Sequence, residues 1–267
     1  KPSIKTGRTL RPLFLALIAL VGLSAPLTTL AMPSFAEVKA AYVESDARLV
    51  DRHNAPLATL RLDPNGRRLP WTRLEDVSPA LLHALLVSED RRFYDHGGVD
   101  WGAAAASAWR NLWATRTRGA STLTMQLAGL LDEDERRRGR RSFLEKMNQA
   151  AGALLLERSW KKDQILEAYL NLVGFRGELQ GIAAMSRWLF GKWPDGLNDG
   201  EAALAVALLR NPGAPANAVA DRACGVLKAR GKPEAACAGL DSLARLAFAG
   251  GLKEGWFNPE QSPDLAP

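Results

Sequence analysis

The densest chemistry in the 267-residue chain lies in the run Glu89-Asp90-Arg91-Arg92-Phe93-Tyr94-Asp95-His96-Gly97-Gly98. Two adjacent carboxylates stand beside aromatics, a histidine and two glycines. A carboxylate lodged in a partly apolar pocket resists ionisation and can act as a general base or acid. Glycines let a bulky ligand approach the backbone closely. An ordinary helix terminus with solvated charges has the same composition, so the run alone leaves both readings open. A second run, Gly119-Ala120-Ser121-Thr122-Leu123-Thr124-Met125-Gln126, sets small and hydroxylated residues at a helix start. Such a start offers amide N–H groups, hydroxyls and the positive end of the helix dipole to an anion such as phosphate. A plain serine N-cap explains it equally well.

Helices must position these runs. Ser78 before Pro79 is an N-cap with proline at the first helical position. The stripe Leu81, Leu82, Leu85, Leu86 then delivers Glu89 to the far end of that helix. A second helix is expected over 121–131, and a third over 141–158 with Leu144, Met147, Ala151, Leu154 and Leu155 on one face. A fourth holds Ile165, Leu166, Tyr169 and Leu170, and Asn198-Asp199-Gly200-Glu201 is a capping box before the apolar helix 202–209. Upstream, residues 37–46 read as a linker helix, and 47–52 and 57–62 as two short strands joined by the turn His53-Asn54-Ala55-Pro56. The body is mainly α with a small β-hairpin, without internal repeats; Ala103 to Ala106 is the one biased tract.

A chain that is 47% hydrophobic and 24% charged is globular, not disordered. Its net charge of +6 suits phospholipid headgroups, lipid-linked pyrophosphates or nucleic acid, without choosing among them. His53, His83 and His96 are too scattered for a metal cluster, and Cys224 and Cys237 form no CxxC pair. In an exported domain those cysteines are placed for a disulfide. Export is what the N-terminus implies: Lys1, Lys5, Arg8 and Arg11 precede an uncharged stretch from Pro12 to Ala36. Its apolar core approaches the ~20 residues that span a bilayer, with a cytoplasmic N-terminus and an exported body. A cleaved signal peptide is the rival, because Pro26 and small residues precede Glu37; a retained anchor is the preferred reading.

Taken together, the two runs resemble glycosyltransferase family 51, the peptidoglycan polymerase module of penicillin-binding proteins. Its first motif, E-D-x-x-F-x-x-H-x-G, is met by Glu89, Asp90, Phe93, His96 and Gly98, and its second, G-G/A-S-T-x-T-x-Q, by Gly119 through Gln126. Its fourth, K-x-x-I-L-E-x-Y-L-N, is met by Lys162, Ile165, Leu166, Glu167, Tyr169, Leu170 and Asn171. Phe175, Gly181 to Ala184 and Phe190-Gly191-Lys192 extend the likeness, which covers roughly residues 40 to 230. The third motif, R-K-x-x-E, departs. Counting back from Ile165, its lysine falls on Lys146 and its glutamate on Gln149, while Glu145 takes the arginine position. A subgroup of bifunctional penicillin-binding proteins is similar in carrying Gln there and in reading S-T-L-T-M-Q. Gly129 also departs, standing where the family usually has a cation for the lipid pyrophosphate. The basic run Arg136-Arg137-Arg138-Gly139-Arg140-Arg141 is a candidate replacement, or else a solvated loop or headgroup contact.

The resemblance implies a lysozyme-like, two-lobed helical glycosyltransferase domain preceded by one transmembrane helix. The expected divisions are 1–36 tail and anchor, 37–74 linker and hairpin, 75–235 glycosyltransferase domain and 236–267 helical tail. It implies polymerisation of lipid II in the bacterial inner membrane, with the domain on the extracytoplasmic side and an exposed apolar surface near the site; a monofunctional enzyme is expected because no serine transpeptidase signature is recognised. Glu89 would be the catalytic base, aided by Gln149; Asp90, Phe93, His96, Gly119, Ser121, Thr122, Thr124, Gln126 and Lys146 would bind substrate. A divalent cation, Mg²⁺ or Mn²⁺, is allowed but not required. Implied partners are lipid II, the growing glycan strand, membrane lipids and transpeptidases or other wall-synthesis proteins, and no nucleic acid. Two rivals stand beside it: a degenerate lipid II or glycan-binding scaffold, motivated by Gly129 and Gln149, and a lysozyme-like lytic hydrolase.

Overall fold

The computed structural model describes residues 32–53, 55–111, 121–132 and 143–249. Helix α1 (Phe35–Ala41) begins at a capping box: Glu37 N donates to Ser34 Oγ at 3.2 Å, and Ser34 N donates to the Glu37 carboxylate at 2.7 Å. The helix therefore starts two residues before the expected linker. Strands β1 (Asp46–Val50) and β2 (Pro56–Arg61) pair antiparallel with Leu49 opposite Ala58 and Ala47 opposite Leu60, a residue or two N-terminal of expectation. These four share one face of the ribbon, and Leu49 and Leu60 on it are exposed. Arg61 donates to Glu178 at 2.6 Å and to Pro64 O at 2.8 Å, tying the hairpin to the helical body.

Helix α2 (Pro79–Glu89) starts as the sequence indicates, with Ser78 Oγ accepting from Ala80 N at 3.1 Å. Then come α3 (Trp101–Asn111), α4 (Leu123–Leu131), α5 (Phe143–Ser159), α6 (Lys162–Leu172) and α7 (Ile182–Phe190), followed by α8 (Asp199–Leu209), α9 (Ala216–Ala229) and α10 (Leu240–Ala249). The tract Ala103–Ala106 lies inside α3, as the best helix-forming residue favours. Helix α8 is apolar all round and forms the centre: every residue from Ala202 to Leu208 is buried, against α2, α9 and α10. A second group packs α4 against α5 and α6, with Ile165, Leu166, Tyr169 and Leu170 all buried. The described residues from Pro33 onward form one compact unit.

Two expectations need correction. The buried face of α5 does not run through Met147 and Ala151, which are exposed, but through Ala153, Leu156 and the following Trp160. Apolar residues at helical spacing occur on both sides of this helix, and the close approach of Gly98 to Ala153 decides which side is covered. A Cβ on Gly98 (φ +93°) would stand 2.7 Å from Ala153 O. The second helix begins at Leu123, not Ser121, because the Thr122 hydroxyl takes the N-cap position and accepts from Met125 N at 3.1 Å.

Cys224 and Cys237 are joined, with their Cα atoms 5.0 Å apart, stapling α9 to the turn Glu234–Cys237. No helix among the described residues is long and apolar enough to cross a membrane. The apolar core of the N-terminal stretch lies outside those residues, as do Gly119 and the basic run 136–141.

Candidate active site

Glu89 is the last residue of α2, and four helices converge on it. Its Oε1 accepts from the Ser88 hydroxyl at 3.0 Å and from Arg210 Nε, just past the end of α8, at 3.3 Å. Its Oε2 accepts from Gln126 Nε2 of α4 at 3.4 Å, and Gln126 Oε1 accepts from the Tyr169 hydroxyl of α6 at 2.9 Å. Tyr169 is fully buried; burial, then the nearby Glu89 charge, pushes its pKa far above the usual phenol value. It therefore remains a donor and turns the Gln126 amide nitrogen toward Glu89. The bonds that Glu89 receives from Arg210 and Gln126 are long, and its side chain is 12% exposed.

Asp90 is different. Its carboxylate is buried, with Oδ1 and Oδ2 lying 3.0 and 3.1 Å from His96 Nε2, and Oδ2 also accepts from Leu123 N at 3.0 Å. The anion at the start of α4 is thus a side chain of the first motif, seated where the helix dipole favours negative charge. Thr122 donates to Gly98 O at 2.5 Å, closing the same junction. His96 Nε2 faces the carboxylate and carries the proton, while its buried Nδ1 has no partner among the described residues. An open cleft of about 420 Å³ runs past His96, Gly97, Val99, Arg92 and Trp101.

Thr124 donates to Glu157 Oε1 at 2.7 Å, and Lys162 Nζ bridges Glu157 Oε1 at 2.7 Å and His96 O at 2.6 Å. Lys162 also lies 4.4 Å from the centre of the buried Phe93 ring. One half-buried ion pair thus joins the first, second and fourth motifs. Helix α5 carries Lys146, Gln149, Ala153 and Glu157 in one stripe at i, i+3, i+7 and i+11. Ala153 meets Gly98 and Glu157 meets Thr124, so Gln149 and Lys146 sit one and two turns along the side that faces the other motifs. Gln149 is half-buried, Lys146 exposed and Ser121 half-buried.

A sequence profile described as Transglycosylase matches residues 53–230. The chain belongs to the transglycosylase family. It is 40% identical to penicillin-binding protein 1C of Escherichia coli over 212 residues, 75% of this chain and 25% of that protein. It is 38% identical to the biosynthetic peptidoglycan transglycosylase of Rhodospirillum centenum over 169 residues, 62% of this chain and 71% of that protein. The corresponding protein of Aeromonas hydrophila is 41% identical over 142 residues, 53% and 59% of the two chains. The match therefore spans a quarter of one relative and more than half of the others.

Within this transglycosylase fold, the fourth motif divides between two tasks. Tyr169 and Lys162 face the site. Glu167 and Asn171 instead hold the linker: Glu167 accepts from Trp71 Nε1 at 2.7 Å, Leu74 N at 3.0 Å and Lys39 Nζ at 3.1 Å, and Asn171 exchanges two 2.8 Å bonds with the Thr72 backbone. Sequence reasoning missed Arg210 and Glu157 as members of the site. Arg210 looks like an ordinary cation closing an apolar helix, and Glu157 carries no local signal. Ser159-Trp160-Lys161-Lys162 has the S-x-x-K spacing of serine transpeptidases, but Lys162 is engaged by Glu157 and His96 O, and Ser159 Oγ donates to Leu155 O at 3.2 Å. That pair is no nucleophile and base. Among the described residues no three His, Cys, Asp or Glu side chains form a metal-binding group.

Proposed function

We propose that this chain polymerises lipid II into glycan strands, releasing undecaprenyl pyrophosphate. The observation that carries the reading is the contrast between its two adjacent carboxylates. Asp90 is buried and accepts from His96 and Leu123 at about 3.0 Å, whereas Glu89 is less deeply buried and receives longer bonds from Arg210 and Gln126 where the helices meet. In this reaction the 4-hydroxyl of an acceptor sugar attacks C1 of the donor sugar, and the pyrophosphate leaves with inversion. A hydroxyl is a weak nucleophile at neutral pH, so a positioned carboxylate takes its proton as attack proceeds. Glu89 is that base. Charge developing on the pyrophosphate calls for cations and donors; Lys146 and Gln149 are placed along α5 to supply them. The hydroxyls of Thr122 and Thr124 shape the junction from inside, since both are spent on internal bonds.

The reading extends to a lysozyme-like, two-lobed plan with an N-terminal anchor and the domain on the extracytoplasmic side of the inner membrane. The Cys224–Cys237 disulfide supports an oxidising compartment. A lipid-borne substrate calls for apolar surface near the site, and the exposed side chains of Tyr94, Trp101 and Met147 are consistent with that reading. The test is polymerisation of lipid II in detergent micelles by the intact chain. Polymer from the wild type and none from Glu89→Gln is the expected result; polymer from the variant removes Glu89 from its role. Gly129 and Gln149 motivate a scaffold as second reading, which lipid II binding without polymer by the wild type would establish.

A further inference from the structure

The loose seat of Glu89 raises the question of what aims it, and the fold supplies an outer and an inner support. The inner one is the relay from Tyr169 through Gln126 to Oε2. The outer one is Arg210. Helix α2 ends with carbonyls that lack partners of their own, as every helix does. Arg91 Nε donates to Val87 O at 3.1 Å, and Arg210 Nη2 donates to Ser88 O at 2.9 Å. The same Arg210 guanidinium reaches Glu89 Oε1 with its Nε. It therefore grips the backbone just before Glu89 and the carboxylate itself. A planar guanidinium does this with two separate nitrogens fixed in a fork, whereas an ammonium would have to reach both acceptors from one freely rotating nitrogen.

The base of Arg210 is itself held. It closes α8, and the turn that follows is pinned by Arg176 Nη1, which donates to Pro212 O at 3.1 Å and Ala214 O at 2.8 Å. The Arg210 side chain is 58% exposed against 12% for Glu89, so it covers the carboxylate from the solvent side and belongs to no core packing.

We propose that Arg210 is a positioning residue for Glu89, fixing Oε1 through its fork so that the carboxylate is presented to the acceptor hydroxyl in one orientation. The proposal rests on Glu89 as the base. Small errors of placement at a reacting group cost up to about 100-fold in rate. For lipid II polymerisation by the intact chain, Arg210→Ala is expected to lower kcat by about 10- to 100-fold with KM within about twofold. Arg210→Lys, which keeps the charge but not the fork, recovers only part of the loss, and added guanidinium ion restores activity to the alanine variant. Thermal midpoints stay close to wild type, since the side chain is largely exposed. An unchanged kcat in Arg210→Ala overturns the proposal. So does a raised KM with kcat intact, because Arg210 would then be contacting substrate. If Glu89→Gln is itself active, the underlying assignment of the base fails, whatever the Arg210 variants do. If Glu89→Gln is inactive and Arg210→Ala is unimpaired, only the positioning role fails.

Discussion

Glu89 and Glu167 sit at comparable depth, with side chains 12% and 14% exposed, yet the regions around them treat a carboxylate in opposite ways. Around Glu167, the Trp71 indole, the Leu74 amide and the Lys39 ammonium close in at 2.7 to 3.1 Å and bind the N-terminal segment to α6. Around Glu89, the donors from other elements stand at 3.3 and 3.4 Å. Burial alone therefore does not tell the two surroundings apart. Each carboxylate accepts three donors, and the difference lies in how closely the donors from other elements approach. A carboxylate that must accept a proton from a visiting hydroxyl gains from donors that yield easily, and one that staples a linker gains from short, strong ones.

The comparison breaks most sharply at Glu89. Glu89→Gln should reduce lipid II polymerisation by at least ~10²-fold while the melting temperature, followed by circular dichroism, barely moves. Glu167→Ala should do the reverse. It strands the Trp71 and Leu74 donors, so chemical denaturation should report a loss of about 2–4 kcal/mol, with the rate per folded molecule largely retained. A Glu167 variant with unchanged stability would remove the contrast. Asp90→Asn sharpens the picture from between the two. Its amide would face the donors of His96 or Leu123, so a loss of about 1–3 kcal/mol is expected together with a fall in kcat. The smallest effect belongs to Tyr169→Phe. Losing the hydroxyl should cost about 1 kcal/mol and lower kcat a few-fold, by freeing Gln126 to turn its amide.

Much of the helical frame was legible in the chain. Ser78-Pro79 and Asn198 to Glu201 announced the starts of α2 and α8 because capping is settled within four residues. The motif-bearing positions Glu89, Asp90, Phe93, His96 and Gln126 do come together. The covered face of α5 was not legible, since Met147 and Ala153 are both compatible with an apolar stripe and only the approach of Gly98 selects between them. The start of α4 could be read as an anion seat or as a plain serine N-cap; in the fold Thr122 is the cap, and the carboxylate of Asp90, 33 residues upstream, accepts from the Leu123 amide.

By itself, then, the sequence determined the family, the helix starts and the small set of polar residues able to do chemistry, because residue order and short-range spacing carry that information. Only the tertiary structure decided how closely each carboxylate is held. The donors that settle it lie 96 positions from Glu167 at Trp71, and 37 and 121 positions from Glu89 at Gln126 and Arg210. No local pattern encodes such pairings; they follow from how α2, α4, α6 and α8 pack.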